Sequence, residues 1–217
     1  MLVGGLAVGL SAMASQAPFL SWTAKQAETV GKSGFRQGRV GGWFDARVIN
    51  TDRSYNYKLA ATFFSPDVVR ASLRMRQLAL RLPDQTVTDM AHRAIDRPGL
   101  VVLIEIDPRE GSGVIPREWH AFLEPFETEK AAKDKNGVAL RESILGVAVP
   151  ELREDPAFAG VRRRDYAYDQ FWLEFDREQV FGGLEGKVGA LRLVVRIYNK
   201  EGRVEWPVDS SMTQVLK

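Results

Sequence analysis

Apolar and polar positions alternate along four stretches of the chain, and a period of two marks a half-buried β-strand. In Trp43 to Thr51, Phe44, Ala46 and Val48 fall on one side and Asp45 and Arg47 on the other. After a turn at Asp52-Arg53-Ser54, Tyr55 to Phe64 alternates again, with Tyr55, Tyr57, Leu59, Ala61 and Phe63 on one face. The two runs predict an antiparallel hairpin. Near the C-terminus, Tyr166 to Asp176 places Phe171, Leu173 and Phe175 inward. Val188 to Tyr198 places Leu191, Leu193, Val195 and Ile197 inward and Arg192 and Arg196 outward. Asn199-Lys200-Glu201-Gly202 reads as the turn into a last strand, Arg203 to Pro207, whose proline suits an edge or a strand end. Leu100 to Ile106, LVVLIEI, is a nearly unbroken apolar run and predicts a central strand covered on both faces. Trp119 to Phe126 and Ile144 to Val149 add two shorter candidates.

The period changes at Ser65-Pro66-Asp67. Serine is a good N-cap, proline suits the first helical position and aspartate suits the positive helix end. Val68, Ala71, Met75, Leu78 and Leu82 follow at helical spacing, and Pro83 stops the run. A shorter helix is predicted from Thr86 to Ile95, before Pro98-Gly99. Helices do not alternate with strands in a βαβ rhythm. The reading is a mainly β (α+β) fold: an antiparallel β-sandwich-like domain of seven to eight strands with an inserted helical hairpin. The domain spans 43–208, the helical insertion 66–97 and a tail 209–217. Residues 24 to 42 carry five glycines among polar residues, so 15–42 reads as a linker. The stretch 127–137 balances three acidic side chains with three lysines and reads as a solvated loop.

The N-terminus points to export. Leu2 to Met13 has the length of a signal-peptide core and runs into Ala12-Met13-Ala14, a small-x-small site. Residues 1–14 are expected to be a cleaved signal peptide, with the mature chain beginning at Ser15. The alternative is a membrane anchor over residues 2–22, since Lys25 is the first charged side chain. The expected location is periplasmic or secreted, with membrane contact only through an uncleaved N-terminus.

Composition narrows the chemistry. The 217-residue chain has 30 basic and 28 acidic residues, a net charge of +2, so no nucleic-acid partner is expected. It has no cysteine, which removes disulfides, thiolate catalysis and Cys-zinc sites. Its two histidines, His92 and His120, lie far apart in sequence, so no metal site and no cofactor is expected. Neither Gly111-Ser112-Gly113 nor Gly182 to Lys187 has the spacing of a phosphate loop.

The catalytic candidates are carboxylates: Glu105 and Asp107 on one face of the central strand, and Glu110 in the loop after it. Paired carboxylates can serve as general acid and base. The binding candidates are of two kinds. Arg70, Arg74 and Arg81 fall on one side of the first inserted helix, where arginine forks would meet an acidic protein or an anionic surface. Tyr166, Tyr168 and Trp172 share the face of one strand opposite Phe171 and Phe175, either as a recognition row or as a second buried face. Taken together, the chain reads as an exported, non-catalytic binding or scaffold protein of the cell envelope. The alternative is a secreted hydrolase or carbohydrate-active enzyme using the carboxylates from Glu105 to Glu110.

Overall fold

The alternating stretches assemble into two antiparallel sheets. They are seen in a computed structural model that describes residues 17–41, 57–108, 118–134, 137–159, 169–184, 186–198 and 200–213. The expected signal peptide at 1–14, the strand expected at 43–51, Glu110, Tyr166 and Tyr168 lie outside the described residues. The first sheet contains β1 (Arg39–Gly41), β2 (Tyr57–Phe63), β3 (Gly99–Pro108), β6 (Val147–Ala148) and β7 (Asp169–Asp176), in the order β1-β2-β3-β7-β6. The second contains β4 (Trp119–Phe126), β5 (Ile144–Leu145), β8 (Ala190–Ile197) and β9 (Lys200–Pro207), in the order β5-β4-β8-β9. The described strands number nine, more than the seven or eight expected. β1, β5 and β6 are two or three residues long, too short for a period to be read.

Alternation decides which side chains meet. From the five-stranded sheet, Leu59, Ala61, Phe63, Val102, Ile104 and Phe175 face inward. Leu123, Leu191, Leu193, Val195, Val204 and Trp206 face them from the four-stranded sheet. The sheets also join at their edges. The chain passes from β5 to β6 through Gly146, where a Cβ would lie 2.8 Å from the Phe175 ring. On the other side Gly41 has φ 81°, and a Cβ there would overlap the Leu59 carbonyl and lie 2.9 Å from Val204 Cγ1. Only glycine permits that approach.

The second face of the five-stranded sheet carries Val101, Leu103 and Trp172 beneath a layer of helices. This explains the unbroken apolar run of β3, since neither face meets water. The layer contains α1 (Ala24–Gly38), α2 (Pro66–Leu80) and α3 (Asp84–Ile95). Four shorter helices are also described: α4 (Glu129–Lys133), α5 (Pro156–Ala159), α6 (Arg177–Phe181) and α7 (Ser210–Thr213).

Helix α1 occupies most of the expected linker. Thr23 and Gln26 form a reciprocal capping box at its start. Its glycines serve close packing: a Cβ on Gly34 would lie 2.7 Å from Val68 Cγ2, and one on Gly38 would overlap the Phe63 carbonyl. Before it, Pro18–Ser21 forms a 3-10 turn that buries Phe19 and Leu20 against the helix layer.

Helix α2 begins as predicted, with Ser65 Oγ accepting from the Val68 amide. It ends two residues before Pro83, at Arg81, which adopts the left-handed conformation with φ 54°. The expected stripe holds over its first turns, where Val68 and Ala71 are buried, and then fails: Leu78 is 40% exposed. Val69, Leu73 and Gln77 are buried instead. Packing between α1 and α3 widens the buried arc early, and four consecutive exposed residues, 78–81, show that the last turn overhangs its neighbours. Among the described residues, no helix is long and apolar enough to cross a membrane.

Candidate functional site

The sequence-predicted site residues Glu105, Asp107, Arg70, Arg74, Arg81 and Trp172 lie within the described residues. Glu105 points to the helix side of β3, with Val101 and Leu103. It accepts an ion-paired hydrogen bond from Arg39 of β1, across β2, and a 3.4 Å hydrogen bond from Gln170. Its side chain is only 12% exposed. A carboxylate so enclosed, with an arginine on it, ties the edge strand to the sheet centre. Asp107 lies at the end of β3, opposite Lys58 in register. The structure therefore places Glu105 in an ion pair rather than in a described carboxylate pair. Among the described residues, no three His, Cys, Asp or Glu side chains come together as a metal site. His92 lies on the helix layer, 3.2 Å from Asp96, and His120 on the four-stranded sheet.

The arginine stripe is divided. Arg70 pairs with Asp67 at 3.0 Å. Arg74 is drawn inward, donating to the Trp22 carbonyl at 2.8 Å and to Gln77 Oε1 at 2.6 Å. Gln77 passes the network on to Asp84 at 2.6 Å. Arg81 is exposed beyond the last helical turn. The expectation of three solvent-facing arginines is thus corrected: the N-terminal turn, which sequence periodicity cannot place, packs over Arg74. Trp172 also moves from candidate to core. It is 3% exposed, with its ring centroid 5.0 Å from that of Phe64 and 5.7 Å from that of Phe158.

Strand register gathers a different set at one end of the sandwich. Tyr57 pairs with Pro108, Ile106 with Asp169 and Trp119 with Ile197. The ends of β3 and β8 and the starts of β2, β4, β7 and β9 therefore share this end, while α2, α4, α6 and α7 follow strands at the other. Across the sheets, Trp119 packs edge-on against Phe171 at 4.6 Å, and both are half-buried. Beside them Tyr198 is 74% exposed and has φ 54°. Sequence reading misplaced this turn. Ile197 pairs with Lys200, so the chain turns at Tyr198 directly after β8, and Gly202 lies inside β9, where a Cβ would be 3.0 Å from Leu59 Cδ2. The signal available was alternation resuming at Lys200, outweighed in the sequence by the glycine.

A groove of about 680 Å³ lies at the other end, between α1 and the chain after β9. Thr29, Ser33 and Gln37 line one wall at a four-residue spacing, and Asp209, Ser210 and Ser211 line the other. Ser65 and Asp67 contribute from the start of α2. Phe63, Trp206 and Met212, all nearly inaccessible, lie beneath. The walls are fixed to each other by a buried 2.7 Å hydrogen bond from Trp206 Nε1 to the Gly38 carbonyl. No sequence motif marks this groove, because its polar residues come from three distant segments.

No protein-family model matches the chain. No curated protein matches it. Among solved structures, it is similar to a novel protein of unknown function from Burkholderia pseudomallei, at 10% identity over 87% of this chain and 86% of that chain, with a TM-score of 0.43.

Proposed function

We propose that this is an exported, non-catalytic binding or scaffold protein of the cell envelope, and that it meets its partner with the sandwich end marked by Trp119, Phe171 and Tyr198. The observation that carries the reading is Tyr198: a bulky aromatic, 74% exposed and left-handed at the tip of a fully paired hairpin. A left-handed non-glycine residue costs roughly 1–2 kcal/mol, and an exposed one gains no core packing in return. Rigid aromatics are favoured contacts in protein recognition. The ion pair of Glu105 with Arg39 weighs against a free acid or base at that position, and so against the hydrolase reading. Export is supported by the apolar run ending in Ala12-Met13-Ala14, and Phe19 and Leu20 enter the fold just beyond it.

The test is photo-crosslinking in the intact envelope of the producing cell. A crosslinking amino acid at position 198 should give one discrete adduct that is absent when the same group replaces exposed Gln85 on the helix layer. Trp119→Ala should reduce that adduct. Equal adducts from both positions, or none from 198, would refute the reading. N-terminal sequencing of the same material should find Ser15 first.

A further inference from the structure

We propose that the groove between α1 and the segment after β9 is a binding site for a neutral polyhydroxylated small molecule, a sugar. It is a different surface from the aromatic end, and the inference does not depend on that end having a partner. The volume, about 680 Å³, lies within the span of about 300–1,000 Å³ usual for small-molecule sites.

The class of ligand follows from the donors and acceptors already used. Thr29 donates its hydroxyl to the Lys25 carbonyl at 2.8 Å, which leaves its oxygen as an acceptor. Gln37 donates from Nε2 to Ser33 Oγ at 3.5 Å, which leaves Gln37 Oε1 as an acceptor and the Ser33 hydroxyl hydrogen as a donor. Asp209 Oδ1 accepts from the Ser211 amide at 2.8 Å, the Met212 amide at 3.2 Å and the Ser211 hydroxyl at 2.5 Å, which leaves Oδ2. Asp67 Oδ1 is taken by Arg70 at 3.0 Å, which again leaves one oxygen.

The lining therefore offers acceptors at Thr29, Gln37, Asp67 and Asp209 and hydroxyl donors at Ser33 and Ser65, whose oxygens accept from Gln37 and the Val68 amide, and each hydroxyl of a polyol both donates and accepts. No lysine or arginine lines the groove among the described residues. An anion would meet the carboxylate of Asp209, whose described partners are amide and hydroxyl donors and no cation, whereas Asp67 is already paired with Arg70. Because both carboxylates already hold local donors, the site does not demand a positive charge either. The walls are fixed before binding by the Trp206–Gly38 hydrogen bond and by the close approach of Gly34 to Val68, which lowers the ordering cost of association.

The experiment titrates the full chain with glucose, maltose, N-acetylglucosamine and glucuronate, followed by ligand-observed NMR saturation transfer. Ser33→Trp fills the groove from a part-exposed helical position, and Gln37→Ala removes one acceptor from an exposed one. At least one neutral sugar should bind saturably. Ser33→Trp should weaken it about tenfold or more with an unchanged thermal midpoint, and glucuronate should bind more weakly than glucose. If Ser33→Trp lowers the midpoint, a several-fold loss in Gln37→Ala decides the matter. The proposal fails if no neutral sugar saturates, if a folded groove variant binds like the parent, or if glucuronate binds as well as glucose.

Discussion

Replacing Gly38 with alanine sets two physical effects against each other. Helix propensity favours alanine over glycine by about 1 kcal/mol at most in a helix interior, and by less at the last residue of α1. Packing opposes it, because the added methyl would overlap the Phe63 backbone carbonyl, which belongs to β2 and cannot rotate away. Overpacking of this kind costs about 1–3 kcal/mol. The Gly38 carbonyl also accepts the buried Trp206 indole N–H at 2.7 Å, and displacing it would strand that donor at a further cost of about 1–3 kcal/mol. The net expectation is destabilisation by about 2–4 kcal/mol, or roughly 4–16 °C in thermal midpoint for a chain of this size. Urea unfolding at constant slope measures it, and the Trp206 indole resonance should report a weakened hydrogen bond. Gly34→Ala should cost less, since the nearest obstacle is a side-chain methyl of Val68 at 2.7 Å. If Gly38→Ala is neutral or stabilising, propensity has outweighed packing and α1 does not lie against β2 as described.

Other perturbations address the core, the helix layer and charge. Leu173→Ala or Leu193→Ala should each lower stability by about 2–5 kcal/mol in denaturant unfolding, since these side chains are 3% and 0% exposed between the sheets. Arg81→Gly should raise the unfolding free energy by up to about 1 kcal/mol, because glycine removes the cost of the left-handed cap. At Glu201, partial burial pushes the carboxyl up, but hydrogen bonds and charge from Arg196 and Arg203 outweigh it and hold the group below its ordinary value. A lowered carboxyl stabilises the fold at neutral pH and loses that contribution as pH falls through its folded value. Glu201→Gln should therefore reduce stability slightly at neutral pH and leave it unchanged in strong acid, as read from thermal midpoints across pH.

Local order and its limits divide cleanly in this chain. Alternation in the sequence by itself determined which faces of β2, β7 and β8 meet between the sheets, because successive side chains of a strand point to opposite faces, but not that Thr62, Trp172 and Arg192 on the other faces are buried as well. The unbroken run of β3 likewise announced a strand covered twice, and Ser65-Pro66 announced the start of α2 through capping chemistry that is local to three residues. Tertiary structure decided the rest. The glycines of α1 read as flexibility until Val68 and Phe63 showed that they are sites of close approach, a fact that belongs to the neighbours and not to the segment. Arg74 read as surface, and Trp172 stayed open between a recognition row and a second buried face, because the N-terminal turn and the helices that cover them are remote in sequence. Glu105 looked like half of a carboxylate pair until Arg39, sixty-six residues away, took its charge. The aromatic end and the polar groove draw on residues from several distant segments, and convergence of that kind carries no period, spacing or composition along the chain.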